Sequence, residues 1–251
     1  MKYILLAVLV FQLSVIRTTG QDLSKQWLES LSNYGSFQEI NSARFSNWDF
    51  SQVLSNSNVD GFPTSTYVGV FGPKFRRIDF HLEVSKTNGS YEVTGKSKLG
   101  NNIQSLSGKI ELIKTLLKTQ EYITDSLYIG IFNCTLREPG IKDGDGVFSG
   151  TFALVFYRKD SQLQLFKTSS GDEPTFTNTF VGTWKRYNSD VERKVIFSFH
   201  AAGLYERLPF CEDLYTFEEN DDFLEIKEEY KEYEWQDYPI TTRKRKTTWW
   251  K

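Results

Sequence analysis

Residues 76–99, RRIDFHLEVSKTNGSYEVTGKSKL, decide the fold. Ile78, Phe80, Leu82 and Val84 alternate with Arg77, Asp79, His81 and Glu83, the period-two pattern of a strand with one buried and one wet face. Asn88-Gly89 follows, a strong signal for a two-residue hairpin turn because both positions tolerate positive φ. Tyr91, Val93 and Gly95 then alternate with Glu92, Thr94 and Lys96, so the chain runs back beside itself.

The same pattern spreads in both directions. Gly100-Asn101-Asn102 makes the next turn, and Leu106, Gly108, Ile110 and Leu112 form another apolar face. Leu112 to Tyr122 fits either a helical turn or two, or a continuing strand. Leu127 to Phe132 is apolar on both faces, as a central strand is. Asp143-Gly144-Asp145-Gly146 turns the chain into Phe148, Gly150, Phe152, Leu154 and Phe156, all on one face. Leu163 and Leu165, then Phe176, Phe180 and Trp184, then Val191, Arg193, Val195, Phe197 and Phe199 continue the short strands. The spacing predicts an all-β fold of eight or nine antiparallel strands from about Tyr67 to Phe199. Such a meander must close into a barrel or fold into a sandwich to protect its edges.

Helices are expected only at the periphery. Asp22 is placed to cap a short one with Leu23, Trp27, Leu31 and Tyr34 on one side, and residues 221–235 present Phe223, Ile226, Tyr230 and Tyr233 on one side of another. The resulting division is a helical or irregular lead-in over 21–63, packed on a single β-rich domain over 64–251.

Residues 1–20, MKYILLAVLVFQLSVIRTTG, read as an export signal. Lys2 supplies a positive charge, Ile4 to Leu13 a short apolar run, and Thr18, Thr19 and Gly20 small residues for cleavage. That run is shorter than the ~20 apolar residues of a membrane helix. The expectation is a mature chain beginning near Gln21, periplasmic or extracellular, without a membrane span.

A net charge of −2 argues against nucleic acid as a partner, since phosphate binding needs a clustered basic surface. Glu212 to Asp237 is heavily acidic, relieved only by Lys227 and Lys231, and the basic run Arg243–Lys246 follows it. This is either a solvated face with a self-neutralising tail or a docking patch for a charged partner. The two cysteines, Cys134 and Cys211, permit one disulfide or two separate buried thiols. Asn88-Gly-Ser and Asn133-Cys-Thr match the glycosylation sequon.

Searches for catalytic chemistry fail one after another. Gly95-Lys96-Ser97 lacks the earlier glycine of a phosphate loop, with Ser90 in its place, and an EF-hand starting at Asp143 would need a glutamate where Leu154 stands. No Gly-x-Ser-x-Gly elbow occurs, and the two histidines, His81 and His200, have no partners that sequence can locate. No metal-ligand spacing emerges and no cofactor is implied. A glycosidase-type pair of acids stays open, because sequence cannot select two from so many. Gly182-Thr183-Trp184 is similar to the Gly-x-Trp of lipocalins and avidins, whose indole plugs one barrel end. In those families it marks the first strand, whereas here it comes late.

Four strings, Val70–Arg77 (VFGPKFRR), Val93–Lys98 (VTGKSK), Phe148–Phe152 (FSGTF) and Phe180–Lys185 (FVGTWK), together resemble an uncharacterised family of secreted β-rich proteins of Gram-negative bacteria. The resemblance covers most of the mature chain. It implies export and β architecture, and no activity comes with it.

The expected function is a non-enzymatic binding or interaction module for an unknown small molecule or protein. Its strand-built pocket or face would be lined by aromatics such as Trp184 and Tyr187. The alternatives are a hydrolase of extracellular or envelope polymers using paired carboxylates, and a structural or immunity-like partner docking through the acidic segment.

Overall fold

The computed structural model describes residues 20–55, 57–59, 62–119, 127–159, 162–165, 178–199, 213–217, 224–236 and 248–251. In chain order the elements are α1 (Gly20–Glu29), β1 (Ser36–Ile40), α2 (Ser51–Ser55), β2 (Ser57–Val59), β3 (Phe62–Thr64), β4 (Thr66–Phe71), β5 (Arg76–Thr87) and β6 (Ser90–Leu99). They continue with β7 (Asn102–Thr119), β8 (Leu127–Arg137), β9 (Gly146–Lys159), β10 (Gln162–Leu165), β11 (Thr179–Arg186), β12 (Glu192–Ser198), β13 (Tyr215–Phe217) and β14 (Leu224–Ile226). The export signal falls outside the described residues except for Gly20, which begins α1.

The hairpin read from the sequence forms as expected. β5 and β6 pair from Ile78–Leu99 to Thr87–Ser90, and the turn residues Asn88 and Gly89 take φ of 45° and 86°. From there each strand pairs antiparallel with the next, β4–β5–β6–β7–β8–β9–β11–β12, and β12 returns to β4 with Val195 opposite Phe71 and Ser198 opposite Val68. Eight strands therefore close on themselves, which decides barrel over sandwich and leaves the ring without an edge. β1 adds to the far half of β7, and β10 folds back on β9.

Three local expectations are refined. The ambiguous stretch after Leu112 continues as strand through Thr119, with a bulge at Ile113 that shifts its register against β8. The lead-in contains the strands β1 and β2 and the start of β3, not only helix and irregular chain. In the C-terminal segment Leu224–Ile226 is a strand paired with β13, and helical backbone begins only at Glu228. Residues 120–122 and 221–223 lie outside the described residues.

Alternation places Phe80, Phe132, Phe148, Phe152, Phe156, Phe180 and Phe197 inside the barrel, each fully buried. Phe197 stacks on Phe180 with ring centroids 4.6 Å apart and lies 4.2 Å from Phe80 and 5.4 Å from Tyr67. Glycines make room for these rings. Gly150 and Gly182 face each other across β9 and β11, and a Cβ on Gly182 would stand 2.7 Å from Gly150 Cα and 2.8 Å from the Phe180 ring. Residues 42–55 cover one end, where Phe50 meets Phe132 at 5.6 Å and Phe156 at 5.0 Å and Leu54 O accepts the Tyr67 hydroxyl.

Much of the outer face is charged, with Lys98, Lys109, Glu111 and Lys185 among its residues. A membrane barrel reverses this, apolar outside and polar within. Among the described residues no helix is long and apolar enough to cross a membrane. One sector of the outer face is apolar and covered: Leu23, Trp27 and Leu31 of the N-terminal segment join Val181, Ile196, Ala153 and Val155 in a second buried cluster, completed by Leu214, Ile226 and Trp235. Trp235 Nε1 donates to Phe75 O at 2.6 Å, so part of the acidic segment packs against the barrel.

Candidate functional site

Cross-strand register sorts the outer face of β7–β8–β9–β11–β12 into rows. One runs Lys109, Thr135, Ser149, Thr183, Lys194, and the next Glu111, Asn133, Thr151, Val181, Ile196. The apolar end of the second row lies against α1, and Ser24 Oγ fixes the helix by donating to Val181 O at 2.7 Å. Where the rows turn polar, α1 becomes the wall of a groove of about 1230 Å³.

The groove is lined by Ser24, Lys25, Leu28 and Glu29 from α1 and by Asn133, Thr135, Ser149, Thr151 and Thr183 from the sheet. Lys185, Arg186, Tyr187, Asn188 and Ser189 close one end. Thr151 and Thr183 are each only 7% exposed, and both line the groove. Asn133, Thr135 and Ser149 lie beside them, and Arg186, at the groove's end, has its Nε buried with no partner among the described residues. The charges balance, with Lys25, Lys185 and Arg186 against Glu29, Glu111 and Glu192.

Beside the groove a polar network locks the β8–β9 loop. Glu138 Oε2 accepts from Trp184 Nε1 at 2.9 Å and from the Gly146 amide at 2.6 Å, while its backbone oxygen accepts from the Tyr187 hydroxyl at 2.9 Å. Asp145 accepts from the Ile141 and Lys142 amides and, at 2.6 Å, from Gln104 Nε2. Both carboxylates are thus consumed in holding the loop.

Burial raises the Glu138 carboxyl above its ordinary value, opposed by the hydrogen bonds from Trp184 and Gly146. A raised folded-state value means that this group's contribution to stability is fully present below the unfolded value of about 4.3 and is lost as pH rises through the folded one. The difference in unfolding free energy between wild type and Glu138→Gln should therefore fall over that window and then level off. A difference that rises with pH there would refute the assignment.

Of the sequence-predicted residues, Tyr187 lines the groove. Trp184 does not: its indole lies inside the barrel end, 5.5 Å from Phe71, and meets Tyr187 only through Glu138. The ten largest fully buried side chains include seven phenylalanines of the barrel interior, while Trp27, Phe75 and Trp235 belong to the outer cluster and Tyr187 lines the groove. Cys134 is a free thiol buried in the barrel, and burial pushes its pKa up, which leaves it unreactive. Cys211 lies outside the described residues, as do His200 and the basic run 243–246. His81 stacks on Trp250 with centroids 4.4 Å apart, and its Nδ1 lies 2.9 Å from Ser65 O.

Sequence reasoning missed Glu138, Asp145, Thr151 and Thr183. Ser149 and Thr151 were legible as outward positions opposite Phe148, Gly150 and Phe152, but nothing local marked the helix that walls them in. Comparison of the chain with protein-family models, with curated proteins and with solved structures returns no match.

Proposed function

We propose that this chain is an exported, non-enzymatic binding protein whose ligand site is the groove between α1 and the outer face of β8, β9 and β11. The carrying observation is the cleft itself, lined by the nearly buried Thr151 and Thr183 and by Arg186, whose Nε is buried with no partner among the described residues. Polar groups in a cleft stay hydrogen-bonded, so a ligand bound there must replace the water that serves them. The scaffold suits the task because a barrel filled with rings holds its outer face still.

The hydrolase reading is less well supported. Glu138 and Asp145 are tied to the loop backbone. Glu111 and Glu192 stand on β7 and β12, four strand spacings of about 4.8 Å apart along the sheet, beyond the roughly 5–9.5 Å of glycosidase pairs. The docking reading loses ground as well, since Ile226 and Trp235 of the acidic segment are buried.

The test is amide spectroscopy of the mature protein against a library of small polar fragments. Shifts should cluster on α1, β8, β9 and β11 and vanish in Ser149→Trp, which fills the groove from an exposed position. Shifts confined to another surface would reject the site, and turnover of a bound compound would reject the non-enzymatic reading.

A further inference from the structure

We infer that the groove's ligand is a neutral oligosaccharide. This rests on the binding reading above and specifies its chemistry. Thr135, Ser149 and Thr183 lie side by side on adjacent strands, with Asn133 and Thr151 in the next row. Strand geometry spaces such groups about 4.8 Å across the sheet and about 6.8 Å along it. The result is a grid of hydroxyl and amide groups, each able to donate and to accept. Sugar hydroxyls have the same dual character, so every ligand hydroxyl meets a group that satisfies it in either sense.

Other ligand classes fit less well. An anion needs surplus cations or converging N–H donors, whereas the groove carries equal numbers of each charge. An apolar ligand would cover the Thr151 and Thr183 hydroxyls without replacing their hydrogen bonds, at about 1–3 kcal/mol each. An extended peptide gains most of its affinity by adding to a free strand edge, and β8 and β9 are hydrogen-bonded on both sides. Tyr187, held by its hydroxyl to Glu138 O, leaves an aromatic ring at the groove's end against which the C–H face of a sugar can rest.

The experiment titrates the mature protein with neutral tetra- to hexasaccharides built on glucose, N-acetylglucosamine, galactose or mannose, beside sulfated and uronate-containing counterparts. At least one neutral oligosaccharide is expected to bind, with amide shifts at Thr151 and Thr183 and an affinity that barely changes between low and ~0.5 M salt. The double variant Thr151→Val, Thr183→Val keeps the shape and should weaken that binding about ten- to a hundredfold, at about 1 kcal/mol or more per lost hydrogen bond. If the double variant does not fold, Ser149→Trp serves instead and should abolish binding.

Binding of acidic oligosaccharides alone, binding untouched by these variants, or no binding of any neutral oligosaccharide at millimolar concentration each overturns the inference. Fragment shifts that persist in the groove while every neutral oligosaccharide fails reject the ligand class and leave the binding site standing. Fragment shifts only outside the groove reject both.

Discussion

Phe197→Ala is expected to lower the unfolding free energy by about 3–5 kcal/mol, a loss that brings a domain of ordinary stability close to unfolding. The residue is fully buried at the centre of the barrel and touches rings from three directions, stacking on Phe180 and meeting Phe80 and Tyr67. Removing it deletes the transfer energy of a whole ring and leaves a cavity that strands locked in a closed ring cannot collapse to fill. Each lost aromatic pair adds about 0.5–1.5 kcal/mol. Denaturant unfolding of wild type and variant measures the difference, with Phe197→Leu retaining part of it. A cost below about 1 kcal/mol would mean that the interior is not packed as described.

Trp27→Ala is expected to cost about as much, roughly 3–5 kcal/mol, but on the outside of the barrel. The indole is 2% exposed and lies with Leu23 and Leu31 in the cluster that includes Val181, Ile196 and Val155. A ten-residue helix is marginal by itself in water, so α1 persists because this face is buried. The variant should therefore show fast amide exchange through 20–31 as well as a lower midpoint. Because α1 is a wall of the groove, ligand affinity should fall with it. Lys25→Ala, whose side chain is 76% exposed and pairs loosely with Glu29 at 3.8 Å, is the matched control and should change stability by less than about 0.5 kcal/mol. Unchanged exchange in α1 of Trp27→Ala would show that another contact holds the helix.

These two residues mark how far local reading reaches. Phe197 was legible as a core position because its neighbours alternate, and Trp27 because Leu23 and Leu31 share its side of a helix. What Trp27 packs against was not legible, since Val181 and Ile196 come from strands more than 150 residues away. The proposed binding site is the least legible part. Trp184 and Tyr187 drew notice as aromatics beside a Gly-x-Trp string, yet Trp184 turned inward with its strand's alternation, and only Tyr187 reached the groove. Thr151 and Thr183 carried no signal of their own, because a threonine on a polar strand face is ordinary until a helix covers it.

By itself the sequence determined the strongly alternating strands of the barrel, which side of each faces the core, and where Asn88-Gly89 reverses the chain. Those properties depend on φ preferences and on alternation within a few residues. The short pairings of β1 and of Leu224–Ile226 lay beyond that reading. Tertiary structure alone decided that β12 returns to β4 and closes a barrel, that rings and glycines fill its interior, and that α1 leaves a polar groove on its flank. Closure depends on the twist and register accumulated over eight strands, and a groove exists only between surfaces distant in the chain, so no local pattern encodes either.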